Sequence, residues 1–336
     1  MKNLLYIGNK LSCHGYTITT IESLGLLLEK ENYNLRYASD KKVKIFRLFD
    51  MLSATIGHSS STDYVIIDTY GTQNFWYAFL VSQLCRVLNL KYIPILHGGN
   101  LPERLQTNSS ICRMIFKNAH INVAPSPYFY SLFHQHGYTN LVAVPNIIET
   151  QNYQFKLRET IRPKLLWVRS LALTYNPAMA IRVLANLQQD YPDAELYMVG
   201  PDKENLLSSL KKLADDLHVH VTFTGHLSKT EWITMSEEFD IFINTTHLDN
   251  TPVSVIEAMA LGLPVISTNV GGIPYLLEHG KTALLVSDND AVEMANAVRT
   301  LISDTTLANA ITMNSRKLAL DFDWHTVKQK WFDILT

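Results

Sequence analysis

Short apolar runs rich in β-branched residues recur along this chain, each separated from the next by a longer segment of helical period. That alternation dictates α/β architecture, because strands joined through crossover helices pair in parallel. In the first half the predicted strands are Leu4–Gly8, Tyr64–Asp68, Tyr92–Leu96, Ile121–Ala124 and Leu141–Val144. The helices predicted between them are Thr19–Lys30, Phe75–Asn89, Ile111–Lys117 and Pro127–His136. Runs such as YVIID and YIPIL are apolar throughout rather than alternating, as a parallel strand covered on both faces requires.

The pattern breaks once. From Glu149 to Pro163 the sequence is polar and aperiodic, which reads as an interdomain linker over residues 151–163. The alternation then restarts with strand Lys164–Val168, helix Ala178–Asp190, strand Glu195–Val199, helix Glu204–Leu217 and strand His220–Phe223. Strand Ile241–Asn244, a helix around Val253–Leu261, strands Pro264–Ser267 and Ala283–Val286 and helix Ala291–Ser303 follow. A length of 336 residues also exceeds what one core comfortably fills. The expectation is two doubly wound α/β domains, residues 1–150 and 164–322. A last helix over 323–336 would pack back on the first domain. Ligands of such sheets bind at the carboxyl ends of the strands, so the cleft between the domains is the expected site.

Composition narrows the class. Formal net charge is −2, which disfavours a nucleic-acid role. The charge is unevenly shared: residues 1–150 hold 13 Lys/Arg and 9 Asp/Glu, residues 151–336 hold 16 and 22. Cys13, Cys85 and Cys112 are odd in number and lack metal-ligand spacing, as reduced thiols would be. The opening MKNLLYIGNK reads as a first strand, not a signal peptide, and no segment approaches the roughly 20 apolar residues of a membrane span. The expected location is the cytoplasm. There is no G-x-G-x-x-G after the first strand, no P-loop and no Asp-x-Asp pair suited to a divalent ion in a sugar-nucleotide site, so nicotinamide and metal-dependent sugar-nucleotide chemistries are disfavoured.

The most informative stretch is DNTPVSVIEAMALGLPVISTNVGGIPYL, Asp249 to Leu276. Thr251 is predicted to cap a helix with Pro252 in its first turn, and Gly262 to end it in a left-handed conformation before Pro264. Free amides at such a helix start suit a phosphate or diphosphate. Glu257 interrupts an apolar run. Periodicity alone would turn it to water, since a buried carboxylate needs partners.

The same stretch resembles the donor-binding signature of retaining glycosyltransferases of family four, which have the two-domain GT-B fold. In that family an acidic residue, seven others and Glu-Ala-Met-Ala-x-Gly-x-Pro-Val-Ile recur, and Glu257 to Ile266 follow the second part closely. The first acidic position, usually Glu, is Asp249 here. The resemblance implies transfer from a UDP- or GDP-sugar without metal or other cofactor, with residues 1–150 binding the acceptor and 164–322 the donor. By resemblance Glu257 would bond the ribose hydroxyls, Asp249 the sugar, and Thr251, Pro252, Val253 and Ser254 would face the diphosphate and sugar.

Further resemblances surround it. Arg169, after LLWV, falls where the family clamps the diphosphate, and a guanidinium fork suits phosphate oxygens. The Lys usual six residues later is Tyr175. Gly200, in ELYMVGPD, and Gly225, His226 and Leu227, in VTFTGHLSK, match the segments lining the nucleotide pocket. His97, after YIPIL, matches a histidine that contacts the donor sugar or acceptor; without the family it would read as a loop residue. Gly15 falls in the family's first glycine-bearing loop.

The implied partners are the nucleotide sugar and a sugar or lipid-linked saccharide acceptor, in bacterial surface polysaccharide or glycoconjugate assembly. The segment KKVKIFRLFDML, Lys41 to Leu52, mixes cations with large apolar residues. It fits either peripheral contact with an anionic membrane at its inner face or a surface helix with its apolar side on the core. Two other readings stand beside the transferase: a sugar-nucleotide epimerase or phosphorylase on the same fold, and a non-catalytic GT-B binding module.

Overall fold

The alternation builds two six-stranded sheets in which each described pair of neighbouring strands is parallel. The structure is a computed structural model describing residues 1–15, 18–98 and 100–336. The chain divides into unit 1, Met1–Ile147 with Val327–Thr336, and unit 2, Ile148–Thr326.

Unit 1 runs β1 (Asn3–Ile7), α1 (Thr20–Lys30), β2 (Asn34–Ala38), α2 (Lys44–Gly57), β3 (Tyr64–Tyr70), α3 (Phe75–Val87) and β4 (Lys91–His97). It continues with α4 (Leu101–Thr107), α5 (Ser109–Phe116), β5 (Asn122–Ala124), α6 (Pro127–Gln135) and β6 (Leu141–Ala143). The sheet order is β2-β1-β3-β4-β5-β6. The chain steps outward from β1 to β2, then returns to β3 on the other side of β1, so β1 and β3 flank the switch point where such sheets bind ligands. Leu5, Ile7, Val65, Ile67, Val81 and Tyr92 form one buried apolar cluster. Phe75, Leu96, Phe116, Phe129 and Phe133 form another.

Unit 2 runs β7 (Lys164–Val168), α7 (Pro177–Leu187), β8 (Glu195–Val199), α8 (Leu207–Asp216), β9 (Val221–Gly225), α9 (Lys229–Met235) and β10 (Ile241–Asn244). Then come α10 (Val253–Leu261), β11 (Val265–Thr268), α11 (Ile273–Leu276), β12 (Leu284–Val286), α12 (Ala291–Ser303) and α13 (Thr305–Ala319). Its order, β12-β11-β10-β7-β8-β9, puts the switch point between β7 and β10. Helix α10 is apolar nearly all round because it is buried: Val255, Ile256 and Ala258 to Leu261 pack with Phe239, Phe242 and Val265.

Two features differ from the sequence reading. Residues 151–163 are part of unit 2 rather than a linker. Arg158, 4% exposed, donates to the carbonyls of Phe239, Lys156, Gly262 and Ser236 and lies 3.5 Å from Asp240. Burial pulls its pKa down to about 10 against the opposing pull of Asp240. A segment held by carbonyls shows no side-chain period, which is why it reads as a linker. Second, α10 is capped by Pro252 with no side-chain cap bond, one residue later than the predicted Thr251. The extended backbone of Pro252 stops the helix from starting earlier. The final helix α14 (Trp324–Ile334) crosses the division, the chain re-entering unit 1 at Val327. There Lys328 pairs with Glu31 at 3.0 Å and Phe332 packs its ring 6.1 Å from Tyr33.

Candidate functional site

In unit 2 the carboxyl ends of β7, β8 and β9 are laced together by backbone hydrogen bonds. The Arg169 amide donates to the Val199 carbonyl at 2.9 Å, and the Gly200 amide to the Gly225 carbonyl at 2.9 Å. Gly200 adopts φ +147°, and a side chain there would overlap the Arg169 carbonyl, so only glycine lets these strand ends approach. Arg169 thus leaves the sheet beside the switch point on a fixed backbone. Its guanidinium makes an ion pair with the Asp249 carboxylate and lies 4.8 Å from the centroid of the Tyr175 ring. The Nε proton is buried without an acceptor. An unmet buried donor costs about 1–3 kcal/mol, which an incoming anion would offset.

Asp249 comes from the loop after β10, on the other side of the same switch point. The Gly272 amide donates to the Asp249 carbonyl at 2.8 Å, and a Cβ at Gly272 would overlap the Asn250 carbonyl. The Gly-Gly turn after β11 is therefore what seats the Asp249 loop. Asp249 Oδ1 accepts from the Asn250 amide at 2.8 Å.

That loop leads into α10, where Thr251, Pro252 and Ser254 are buried and Val253 is half-buried. The Val253 and Ser254 amides start the helix, so no preceding turn accepts from them. The Ser254 hydroxyl is buried without a hydrogen-bond partner. Glu257 lies one turn further on the same helical face. It does not face water. At 4% exposure its Oε1 accepts from the Tyr153 hydroxyl at 2.7 Å and pairs with the Lys229 ammonium. Burial, then the Glu257 charge, pushes the Tyr153 phenol far above its ordinary pKa, so it remains the donor.

The remaining predicted positions are less gathered. Gly225 closes β9, His226 is exposed, and half-buried Leu227 packs on the apolar cluster around α10. Gly15, in unit 1, is exposed, with open space where a side chain would stand. Its loop is tied down where Glu22 accepts from the Ser12 hydroxyl and, at 3.2 Å, from the Thr19 amide. His97 ends β4 of unit 1 in a buried polar cluster. Its Nε2 is 3.0 Å from Asp68 Oδ1, which also receives the Tyr6 hydroxyl at 3.1 Å, and its ring stacks 4.9 Å from Tyr70.

Sequence reasoning missed Asp68, Tyr153 and Lys229. A carboxylate closing the apolar run YVIID was the available signal for Asp68, since a buried charge demands partners. Among the described residues no group of three or more His, Cys, Asp or Glu is placed to hold a metal. A cavity of about 650 Å³ between the Arg182 face of α7 and the Ser287–Val292 segment includes none of the predicted donor residues.

Residues 149–318, just over half the chain and all within unit 2, match the family described as glycosyl transferases group 1. The chain is 27% identical over 199 residues to glycogen synthase of Mycobacterium tuberculosis, covering 57% of this chain and 47% of that protein. It is 29% identical over 184 residues to the GDP-mannose-dependent alpha-(1-6)-phosphatidylinositol monomannoside mannosyltransferase of the same organism, covering 52% and 47%. The match thus spans about half the length of these curated relatives. The crystal structure of HepE from Anabaena with UDP-glucose superposes with a TM-score of 0.80 at 18% identity, covering 100% of this chain and 99% of that one. The fold is the GT-B type, and this chain belongs to the glycosyl transferases group 1 family.

Proposed function

We propose that this chain is a retaining, metal-independent glycosyltransferase of family four that moves a sugar from a nucleoside diphosphate sugar to an acceptor hydroxyl. The observation that carries the reading is the convergence at the unit 2 switch point. Arg169 with its unmet Nε donor comes from one stretch of sequence, and the start of α10, the unpartnered Ser254 hydroxyl and buried Glu257 from another. This donor set suits an anion beside a ribose.

In the proposed reaction the bond from the anomeric carbon to the diphosphate breaks, and the diphosphate leaves with the electron pair. The acceptor hydroxyl attacks on the same face and gives its proton to the departing diphosphate oxygen. Arg169 and the amides of Val253 and Ser254 stabilise the charge that develops on the leaving group, the point at which fixed donors accelerate most. Glu257 accepts from the ribose hydroxyls while Tyr153 and Lys229 hold it in place. Asp249, one methylene shorter than the family's usual Glu, accepts from a sugar hydroxyl, and His97 bonds another. Gly200, Gly225, His226 and Leu227 border the base, and Gly15 approaches the phosphates.

The donor class is a UDP- or GDP-sugar. The acceptor we propose is a saccharide, free or lipid-linked, of bacterial surface polysaccharide or glycoconjugate assembly, at the cytoplasmic face of a membrane. The similarity to a mannosyltransferase named for a phosphatidylinositol mannoside supports a lipid-linked acceptor. So does α2. Ile45, Phe46, Phe49 and Ile56 are 53–62% exposed, as is Val43 before it, while Arg47, Met51 and Thr55 face inward. An apolar face turned outward beside Lys41, Lys42 and Lys44 suits an anionic lipid surface better than a core-facing helix. No helix among the described residues is long and apolar enough to cross a membrane.

The test is nucleoside diphosphate release from a panel of nucleotide sugars with saccharide acceptors, with the anomeric configuration of the product read by NMR. Transfer with retained configuration is expected. An inverted product would overturn the retaining mechanism, epimerised or phosphorolysed sugar would favour a different enzyme, and binding without turnover would favour a non-catalytic module.

A further inference from the structure

The polar cluster beneath His97 plays no part in the steps above. Asp68 sits in the apolar β3 with its side chain 1% exposed. Its Oδ1 meets two groups, the Tyr6 hydroxyl at 3.1 Å and His97 Nε2 at 3.0 Å. Its Oδ2 is buried without a partner. That oxygen lies against Gly8, the residue after β1, where a Cβ would stand only 2.6 Å away. The carboxylate is therefore confined on every side at the unit 1 switch point.

The chemistry of this contact selects one form of the histidine. An ionised carboxylate only accepts, so both groups that reach Oδ1 donate. Tyr6 remains a donor, since burial and then the Asp68 charge push its phenol well above the ordinary range. Neutral imidazole carries one N–H, and the bond to Asp68 puts it on Nε2. Nδ1 then bears the lone pair, and it has no hydrogen-bond partner among the described residues. The Tyr70 ring, stacked at 4.9 Å and 25° from parallel, fixes the plane in which that lone pair points.

We propose that Asp68 is a positioning residue: it holds the His97 proton on Nε2 so that Nδ1 is presented as an acceptor for a hydroxyl of the bound sugar. Resting on the transferase reading, this goes beyond it by assigning the histidine's direction of hydrogen bonding. His97 selects for a hydroxyl, which can donate, over a carbonyl or ether oxygen at the same point of the substrate.

Two measurements on the full chain test it. In the free protein, long-range proton–nitrogen NMR of the histidine rings, with His97 assigned through loss of its signals in His97→Gln, should find the proton on Nε2. That proton should be downfield and protected from exchange. In Asp68→Ala the downfield signal should vanish, and kcat should fall about tenfold or more, while the affinity for free nucleoside diphosphate, bound in unit 2, stays within twofold. If Asp68→Ala does not fold, Gly8→Ala moves the carboxylate while keeping its charge, and the same losses are expected. A wild-type proton on Nδ1 would overturn the proposal, as would a displaced carboxylate with unchanged signal and kcat. Wild-type protein that transfers no sugar would count against the proposed function instead, and the spectrum alone would then decide this inference.

Discussion

Arg169 bears the heaviest chemical demand of any single residue in this account. Among the described residues it is the one cation at the carboxyl end of β7, and its guanidinium is fixed by Asp249 on one side and the Tyr175 ring on another. Tyr175 stands where family members usually carry a second cation, so the ring supplies orientation in place of charge. Losing one fixed donor to a developing anion typically slows chemistry about 100- to 1000-fold, and Arg169→Ala should lower kcat by that amount in a steady-state transfer assay. In the proposed reaction Glu257 serves binding more than chemistry. Glu257→Ala should raise the dissociation constant of the donor about 10- to 100-fold by calorimetry, the worth of a charge-assisted hydrogen bond pair. Tyr153→Phe removes only one of the two supports of that carboxylate and should cost about fivefold.

At the scale of elements, α10 and α2 depart from the ordinary amphipathic helix in opposite ways. Helix α10 is buried nearly all round, and the Gly271-Gly272 turn fixes its start. Gly272→Ala should therefore abolish donor affinity while the protein retains its secondary structure by circular dichroism, because the overlap falls on the Asn250 carbonyl at the mouth of the site. Helix α2 turns its apolar residues out. The pair Phe46→Ser and Phe49→Ser should release the protein from vesicles containing anionic lipid in a sedimentation assay. Added salt should weaken the wild-type attachment, each nearby lysine contributing about 1 kcal/mol. Equal sedimentation with neutral and anionic vesicles would exclude the membrane role. Elements like these show what a sequence can and cannot convey. The strands that are apolar on both faces, such as β3, β4 and β7, are legible within one or two residues. The edge strand β2 is not, because its residues Asn34 to Arg36 are half or fully exposed and carry no buried run.

At the scale of the molecule, the two units answer to different kinds of evidence. In unit 2 the proposed donor residues of the Asp249–Leu276 stretch could be named from the sequence, since the motif is contiguous and its anion-binding logic is local. The partners that complete it are not contiguous: Tyr153 reaches Glu257 across 104 positions and Lys229 across 28. Only packing brings such groups together, so no spacing rule could have named them. The segment around Arg158 that precedes β7 anchors unit 2 from within. Arg158→Ala should strip three buried carbonyls and the partly buried Lys156 carbonyl of their donor and lower unfolding free energy by about 3–5 kcal/mol in a denaturant titration. The central claim is that unit 2 holds a nucleoside diphosphate sugar between Arg169, the start of α10 and Glu257. The most direct measurement is the thermal unfolding midpoint of the full chain against a panel of nucleotide sugars, repeated with Glu257→Ala. One donor class should raise the wild-type midpoint in a concentration-dependent manner, and Glu257→Ala should lose most of that rise. A wild-type midpoint unmoved by any donor, or a rise undiminished in the variant, would contradict it.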